Sequence, residues 1–436
     1  MHKNPVSINC GLKLTIISVV FGIAMVFFVP CSAIAIERIN TRTEMAAQIK
    51  ATALRYFLEN AHPVTGLVRD KAQNFSPTTA ANDVASMAAT GFGLAIVSHA
   101  SLENKIPREK ALTYVKKTLK FSLANVPRHR GWFLHWVNWN TGKRTWDSEY
   151  STIDTALFVA GALYAVEVFQ DQELRDLVFK IYDEMDFFAF LTDDGKKPNK
   201  KTLSLSYRPE SGYSSYQWQI YSEHMILLIL GIGKLNNPLP VQTWTAWNRL
   251  NLPMNLNLEM AMGYPLPLFI HQYSHLFFDF RKMNDGFPNY FQNSVKVSQK
   301  HRLMANGSGS TETFRAGFWG LSAGEDVSGY AVYSPLQPNA TVCIGCAIGS
   351  AMFIRNEVLN DALKWHNGIF GNRIWGRYGF VDSINLEQKW FSPMVLGITV
   401  GPAYMSVANT EANPFWDKYM KNPAFTRALQ RIQKNR

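Results

Sequence analysis

The feature that most constrains this chain is a set of long segments with no polar face. Residues 153–169 and 220–230 are apolar almost all the way round a helical wheel. A helix of that kind is stable only when neighbouring helices cover every side, so the fold must be layered helix on helix. Helical spacing recurs at 43–60, 82–100, 109–124, 152–169, 172–189, 218–234, 267–279, 285–303, 352–366 and 415–433, and no convincing series of alternating strands appears. The connections at 125–150, 191–217, 235–266, 304–346 and 367–396 are long, polar or aromatic, and long loops in a domain tend to carry function. No low-complexity linker or short repeat divides the chain. The expectation is an all-α fold in one domain: a ring of helical hairpins, an (α/α) toroid, with the apolar helices inside and the loops gathered at one end.

The N-terminus stands apart. His2, Lys3 and Lys13 lead into an apolar run over 14–29, which ends in Ser32-Ala33-Ile34-Ala35. Basic start, apolar middle and small-residue exit are the parts of a secretory signal peptide. Residues 1–35 are therefore expected to be cleaved after Ala35, leaving a soluble domain over 36–436 in the periplasm or the medium with no stable membrane anchor. Cleavage removes Lys3 and Lys13 and no acid, lowering the formal charge from +11 to about +9. The basic residues are spread along the chain rather than gathered in an arm, which argues against a nucleic-acid partner. An aromatic fraction of 13% suits a surface that handles ring-shaped ligands. Of the four cysteines, two leave with the leader. Cys343 and Cys346 remain as C-I-G-C, which an oxidising compartment could close into a small disulfide. A redox pair would want a βαβ setting and zinc a second pair of ligands. No cofactor is expected.

Three polar clusters adjoin the apolar helices. In the first, Trp146, Asp147, Glu149 and Asp154 crowd the start of the 152–169 helix. Ser151 or Thr152 would cap that helix and Asp154 would fall in its first turn. Capping accounts for one acid, but less well for three beside an indole. The second is Glu223, which opens the buried 225–230 run; desolvation there would raise its pKa, as a general acid near neutral pH requires. In the third, His271, His275 and Asp279 are four apart and share one helical face with Gln272 and Arg281 nearby. Two imidazoles at that spacing could hold a metal, yet the H-E-x-x-H glutamate and a third ligand are missing. A stripe that hydrogen-bonds sugar hydroxyls, or a satisfied core network, fits better. Among the aromatics, Trp146, Trp319 and Trp375 lie on loops, where they could stack on the flat C–H faces of sugars.

Seven motifs taken in order resemble a known family: 62–68 (H-P-V-T-G-L-V), 89–94 (A-T-G-F-G-L), 148–154, 221–223 (Y-S-E), 267–281, 319–323 (W-G-L-S-A) and 378–382 (Y-G-F-V-D). They are similar to the bacterial glycoamylase-like domains, which include endo-β-1,2-glucanases and the transglycosylating domain of cyclic β-1,2-glucan synthases. The resemblance runs from about 44 to 420. It implies an (α/α)6 toroid acting on a glucan, with Glu149 and Glu223 as the essential pair and Asp382 as a third acid. Trp146, Asp154, His271, Gln272, His275, Arg281, Trp319 and Trp375 would line the subsites. One segment departs from the family: where its members carry G-I-D-Q-G-P, this chain has Gly397-Ile398-Thr399-Val400-Gly401-Pro402. A changed site wall follows. The expected activity is glycoside hydrolysis of an oligo- or polysaccharide by paired carboxylates. A lyase acting on an anionic glycan and a non-catalytic glycan binder are the alternatives.

Overall fold

Three of the apolar helices start from short antiparallel ladders. Val84–Ser86 pairs with Trp136–Asn138 and runs directly into the helix from Met87; Tyr150–Ser151 pairs with Ser206–Arg208 ahead of Thr152; Met394–Leu396 pairs with Lys71–Gln73 ahead of Gly397. The computed structural model describes residues 37–76, 82–191, 201–254, 259–307 and 309–434, so the segment read as a signal peptide lies outside the described residues.

Among the described residues twelve helices carry the architecture. They are α1 (Arg42–Glu59), α2 (Met87–Leu102), α3 (Arg108–Asn125), α4 (Thr152–Phe169), α5 (Gln172–Glu184), α6 (Met225–Gly233), α7 (Leu268–Phe277), α8 (Tyr290–Leu303), α9 (Ile344–Ile348), α10 (Arg355–Asn367), α11 (Gly397–Ala412) and α12 (Pro423–Lys434). The inner helices are α2, α4, α6, α7, α9 and α11, which are buried over nearly their whole length. Each packs on the next, and α11 returns to α2, so the ring closes. The other six are amphipathic and bury one face against this ring, with α12 covering α6. This is the (α/α)6 toroid expected from the sequence.

The tightest contact in the ring is between α2 and α4. A side-chain carbon on Gly91 would meet the Leu157 carbonyl oxygen at 2.5 Å, and one on Gly161 would meet the Gly91 carbonyl oxygen at 2.0 Å. Only hydrogen fits at either position, since close-packed backbones cannot shift to make room.

Several elements differ in extent from expectation, the 218–234 segment for example becoming helical only at Met225 and the 285–303 segment only at Tyr290, and two of the differences have a clear local reason. The 82–100 segment becomes helical only at Met87, because Ser86 is extended and its hydroxyl accepts from Ala89 N, capping α2. Helix α11 lies outside the expected helices, and its first turns hold Gly397, Gly401 and Pro402, residue types that ordinarily interrupt a helix. Pro402 removes the N–H that would bond the Ile398 carbonyl four residues back. That carbonyl is instead satisfied from outside the helix, by the Tyr273 hydroxyl of α7 at 2.9 Å. Cys343 and Cys346 are joined in a disulfide, and Cys343 Sγ accepts from Cys346 N to cap α9.

Candidate active site

The N-terminal ends of α4, α6 and α11 meet at one mouth of the ring, and the carboxylates gather there. Ser151 closes the first turn of α4. Its hydroxyl accepts from Asp154 N and donates to Asp154 Oδ2 at 2.5 Å, fixing that carboxyl against the helix end. Glu223 stands two residues before α6. His224, in the cap position, makes no side-chain cap bond. Ser274 of α7 takes over: its hydroxyl accepts from Ile226 N at 2.9 Å and donates to the Glu223 carbonyl. The neighbouring helix thus holds the backbone of Glu223 in place.

His135 joins two of the acids. Its Nδ1 is 3.0 Å from Glu149 Oε1 and its Nε2 is 3.5 Å from Asp154 Oδ1. Arg208 donates to the other oxygen of Glu149 at 3.1 Å. Burial pulls the imidazole down, but Asp154, Glu149 and Asp70 together raise its pKa above the ordinary value. Burial works against Glu149 as well, yet the hydrogen bond and charge of His135, aided by Arg208, hold its carboxyl down at about 2. Glu149 is therefore an anion at any physiological pH.

Glu223 is the opposite case. Burial pushes its carboxyl up to about 7, the charge of Asp154 adds to the shift, and a hydrogen bond from Ser222 only partly offsets them. Burial likewise raises Asp154 and Asp70 above their ordinary range, with His135 pulling both back. Neighbouring acids whose environments drive their protonation apart are the signature of acid–base division of labour.

The rim is aromatic. Trp136 stacks on His135 with ring centres 3.5 Å apart and donates its indole N–H to Asp70 at 3.2 Å. Trp146 meets Trp136 edge-on and is 62% exposed, on a backbone with φ of 52° that non-glycine residues rarely adopt. Tyr330 sits on the 323–332 hairpin. Half of it is exposed, but loss of solvent at its hydroxyl and the charges of Asp70, Asp382, Asp154 and Glu223 all disfavour its ionisation.

Of the residues singled out in the sequence, Glu149, Asp154, Glu223 and Trp146 come together at this mouth. Asp382 adjoins it but is fully buried, with both oxygens engaged. Oδ1 accepts from the Thr399 hydroxyl at 2.6 Å, and Oδ2 from Glu325 N at 2.7 Å and Ser383 at 2.9 Å. Burial raises it to about 6 against those bonds.

The rest of the list lies elsewhere. His271 and His275 have no exposed surface and sit between α7 and its neighbours, Nε2 of each meeting Gly263 O and Ser294 Oγ. Burial keeps both neutral, at about 3. Gln272 is equally buried and donates to Cys346 O and Ser350 Oγ, tying α7 to α9. Trp319 is a core residue whose indole N–H donates to Asp361. Trp375 packs edge-on against Phe380 and His366. Arg281 forks onto Asp279 and reaches Asn413, which follows the last residue of α11. That is some 24 Å, the length of a sixteen-residue helix, from the end of α11 that bonds Asp382. The structure therefore does not bring these six to the acids. It brings Asp70, His135, Arg208, Ser274, Glu325 and Tyr330 instead. Of these only Tyr330 is of a type suited to stacking on a sugar, and nothing in its local sequence sets it apart from the chain's other aromatics.

Ring and acidic mouth together define a glycoamylase-like (α/α)6 toroid. The glycoamylase family model, described as a putative glucoamylase, matches residues 215–423, a stretch that carries Glu223 and Asp382. A curated relative, the exo β-1,2-glucooligosaccharide sophorohydrolase (non-reducing end) of Parabacteroides distasonis, is 23% identical over 431 residues. The match covers 90% of this chain and 58% of the relative, so this chain spans little more than half of that protein's length. The endo-β-1,2-glucanase of Chitinophaga pinensis superimposes with a TM-score of 0.81 at 20% identity, over 90% of this chain and 98% of its own. That of Talaromyces funiculosus does so with a TM-score of 0.67 at 13% identity, over 91% and 92%. At these identities the solved structures establish the fold.

Proposed function

We propose that this chain is an exported glycoside hydrolase that cleaves β-1,2-linked glucans, with Glu223 as the proton donor. The observation that carries the reading is the contrast between a carboxyl that holds its proton to about pH 7 and the ionised carboxylate of Glu149 at the same mouth. As the bond between the anomeric carbon and the glycosidic oxygen breaks, its electron pair goes to that oxygen, which takes the proton of Glu223. Glu149, fixed by His135 and Arg208, stabilises the positive charge growing on the sugar and accepts the proton of the attacking water. Burial keeps Glu223 protonated, with the charge of Asp154 adding to it, and Trp136 and Trp146 offer faces for sugar rings.

The linkage comes from the relatives, whose names specify β-1,2-glucans or their oligosaccharides. The carboxylate of Glu149, ionised at this mouth beside Asp70 and Asp154, repels a uronate, which weighs against a lyase. Export rests on the charge and hydropathy of residues 1–35. The Cys343–Cys346 disulfide suits an oxidising compartment.

The test is incubation of residues 36–436 with β-1,2-, β-1,3-, β-1,4- and β-1,6-glucans, with products resolved by size and reducing ends counted. New reducing ends from the β-1,2-glucan, abolished in Glu223→Gln, are expected. No product from any glucan, or undiminished product from Glu223→Gln, overturns the proposal. N-terminal sequencing of protein recovered outside the cytoplasm should begin at Ile36; an intact Met1 there rules out the cleavage.

A further inference from the structure

Asp382 resembles a catalytic acid in sequence and behaves as a fastener in space. All the hydrogen bonds its oxygens accept come from groups of the protein itself: Thr399 at the start of α11, its neighbour Ser383, and the backbone N–H of Glu325. The last of these holds the 323–332 hairpin. Gly324 is what lets the carboxylate come so near, since a side-chain carbon there would lie 2.5 Å from Asp382 Oδ2 and 2.9 Å from Ser383 Oγ.

The two faces of the hairpin differ. Asp326 faces the protein, with its carboxylate accepting from Tyr333 at 3.0 Å and Thr341 at 2.5 Å. Glu325 and Tyr330 are directly paired across the strands and so project from one common face. Glu325 reaches Lys71 at 2.9 Å. Lys71 follows Asp70 in the chain, and Asp70 accepts from the indole of Trp136. Tyr330 feels the charges of Asp70, Asp382, Asp154 and Glu223, so the Glu325–Tyr330 face borders the acidic mouth that Trp136 also lines.

We propose that this face is a second sugar-binding wall. Tyr330 is its stacking platform, the Glu325–Lys71 pair binds hydroxyls, and Asp382 is the positioning residue that holds the wall in register without taking part in proton transfer. The inference rests on the glycosidase reading for the ligand, and names the part of the groove that grips it. The Thr399 hydroxyl that stands in the divergent 397–402 segment serves the same clamp.

Two measurements test it with β-1,2-linked gluco-oligosaccharides. In the first, calorimetry in a Glu223→Gln background compares binding with and without Tyr330→Ala. Binding about tenfold weaker, recovered in Tyr330→Phe, is expected, equal to about 1.4 kcal/mol. Unchanged binding overturns the wall while leaving the proposed hydrolysis intact. If instead the unmutated protein binds these sugars without cleaving any glucan, the hydrolase reading falls and the wall stands. In the second, Asp382→Asn and Gly324→Ala are assayed for kcat, KM and pH–rate profile, with circular dichroism as a check on folding. A KM raised about tenfold with kcat within about threefold, and an unmoved profile, mark lost binding. A collapse of kcat in Asp382→Asn with KM unchanged and a shifted profile makes Asp382 a proton-transfer group and overturns its role as a clamp. Gly324→Ala presses the carboxylate away from the hairpin while leaving it able to ionise, so it decides the matter if Asp382→Asn does not fold.

Discussion

Two polar clusters look alike on paper and end in opposite states. One gathers at the helix N-termini around Glu149, Asp154 and Glu223; the other is the His271–Gln272–His275 stripe on α7. Each pairs ionisable groups with aromatic neighbours beside an apolar helix. The first opens on a groove, holds charge through His135 and Arg208, and sets its acids to different protonation states. The second is sealed and neutral, and stitches helices together. A helix end in a toroid is left open to solvent and presents N–H groups that favour anions, whereas the middle of an inner helix is enclosed on every side. Position along the helix, more than residue type, decides between chemistry and cohesion.

The contrast can be broken most sharply at Glu223. Glu223→Gln should lower kcat on the β-1,2-glucan about a thousandfold with the fold kept. Wild-type turnover should itself decline as pH rises through about 7, where the donor loses its proton. A carboxyl whose folded pKa is raised also destabilises the fold as pH rises from its unfolded value, near 4.3, towards about 7. The glutamine variant should therefore melt higher than the wild type at pH 8, and an equal or lower melting temperature there contradicts the assigned shift. Glu149→Gln comes next, with a loss of about a hundredfold measured by reducing-end release; near-normal rates would remove it from the machinery.

The buried stripe should answer in stability. His275→Ala is expected to cost about 2–3 kcal/mol in denaturant unfolding while turnover per folded molecule stays within about threefold. A large fall in kcat at full stability would put the stripe in the site after all. His224, His271 and His275 are held at about 3 and His301 at about 4, all chiefly by burial. The unfolded chain therefore binds more protons below about pH 6.5, and stability should drop steadily as the solution is acidified from there towards pH 3. The smallest effect belongs to Arg281→Ala, at the far end of α11, for which kcat and KM should stay within about twofold, close to the noise of a surface change.

Most of the ring was legible because buried helices advertise themselves. The 152–169 helix begins and ends where its spacing says, and the acids that follow helix-start grammar, Asp154 and Glu223, are at the mouth. Helix α11 was hidden because its proline is compensated by Tyr273, a partner 125 residues away that no local pattern reveals. The error on α7 is one of rotation. Successive residues turn by about 100°, so a spacing of four identifies a shared face without telling which way it points. Two steps on from His271, Tyr273 reaches the start of α11, and Ser274 holds Glu223. Asp70, His135 and Glu325 come from short ladders and loops distant in sequence, and only the closed ring makes them neighbours.

The cover over α6 has a consequence for how the molecule comes into being. That helix follows directly on Glu223, the proposed proton donor, and is apolar on every side, and its tail carbonyls are bound by Arg427 and Arg431 of α12. Nearly two hundred residues of polypeptide separate the two partners. A growing chain therefore emerges with its most important helix uncovered, and competence arrives late, when α12 docks. Partly made copies would expose a greasy, inactive seam suited to capture by folding helpers.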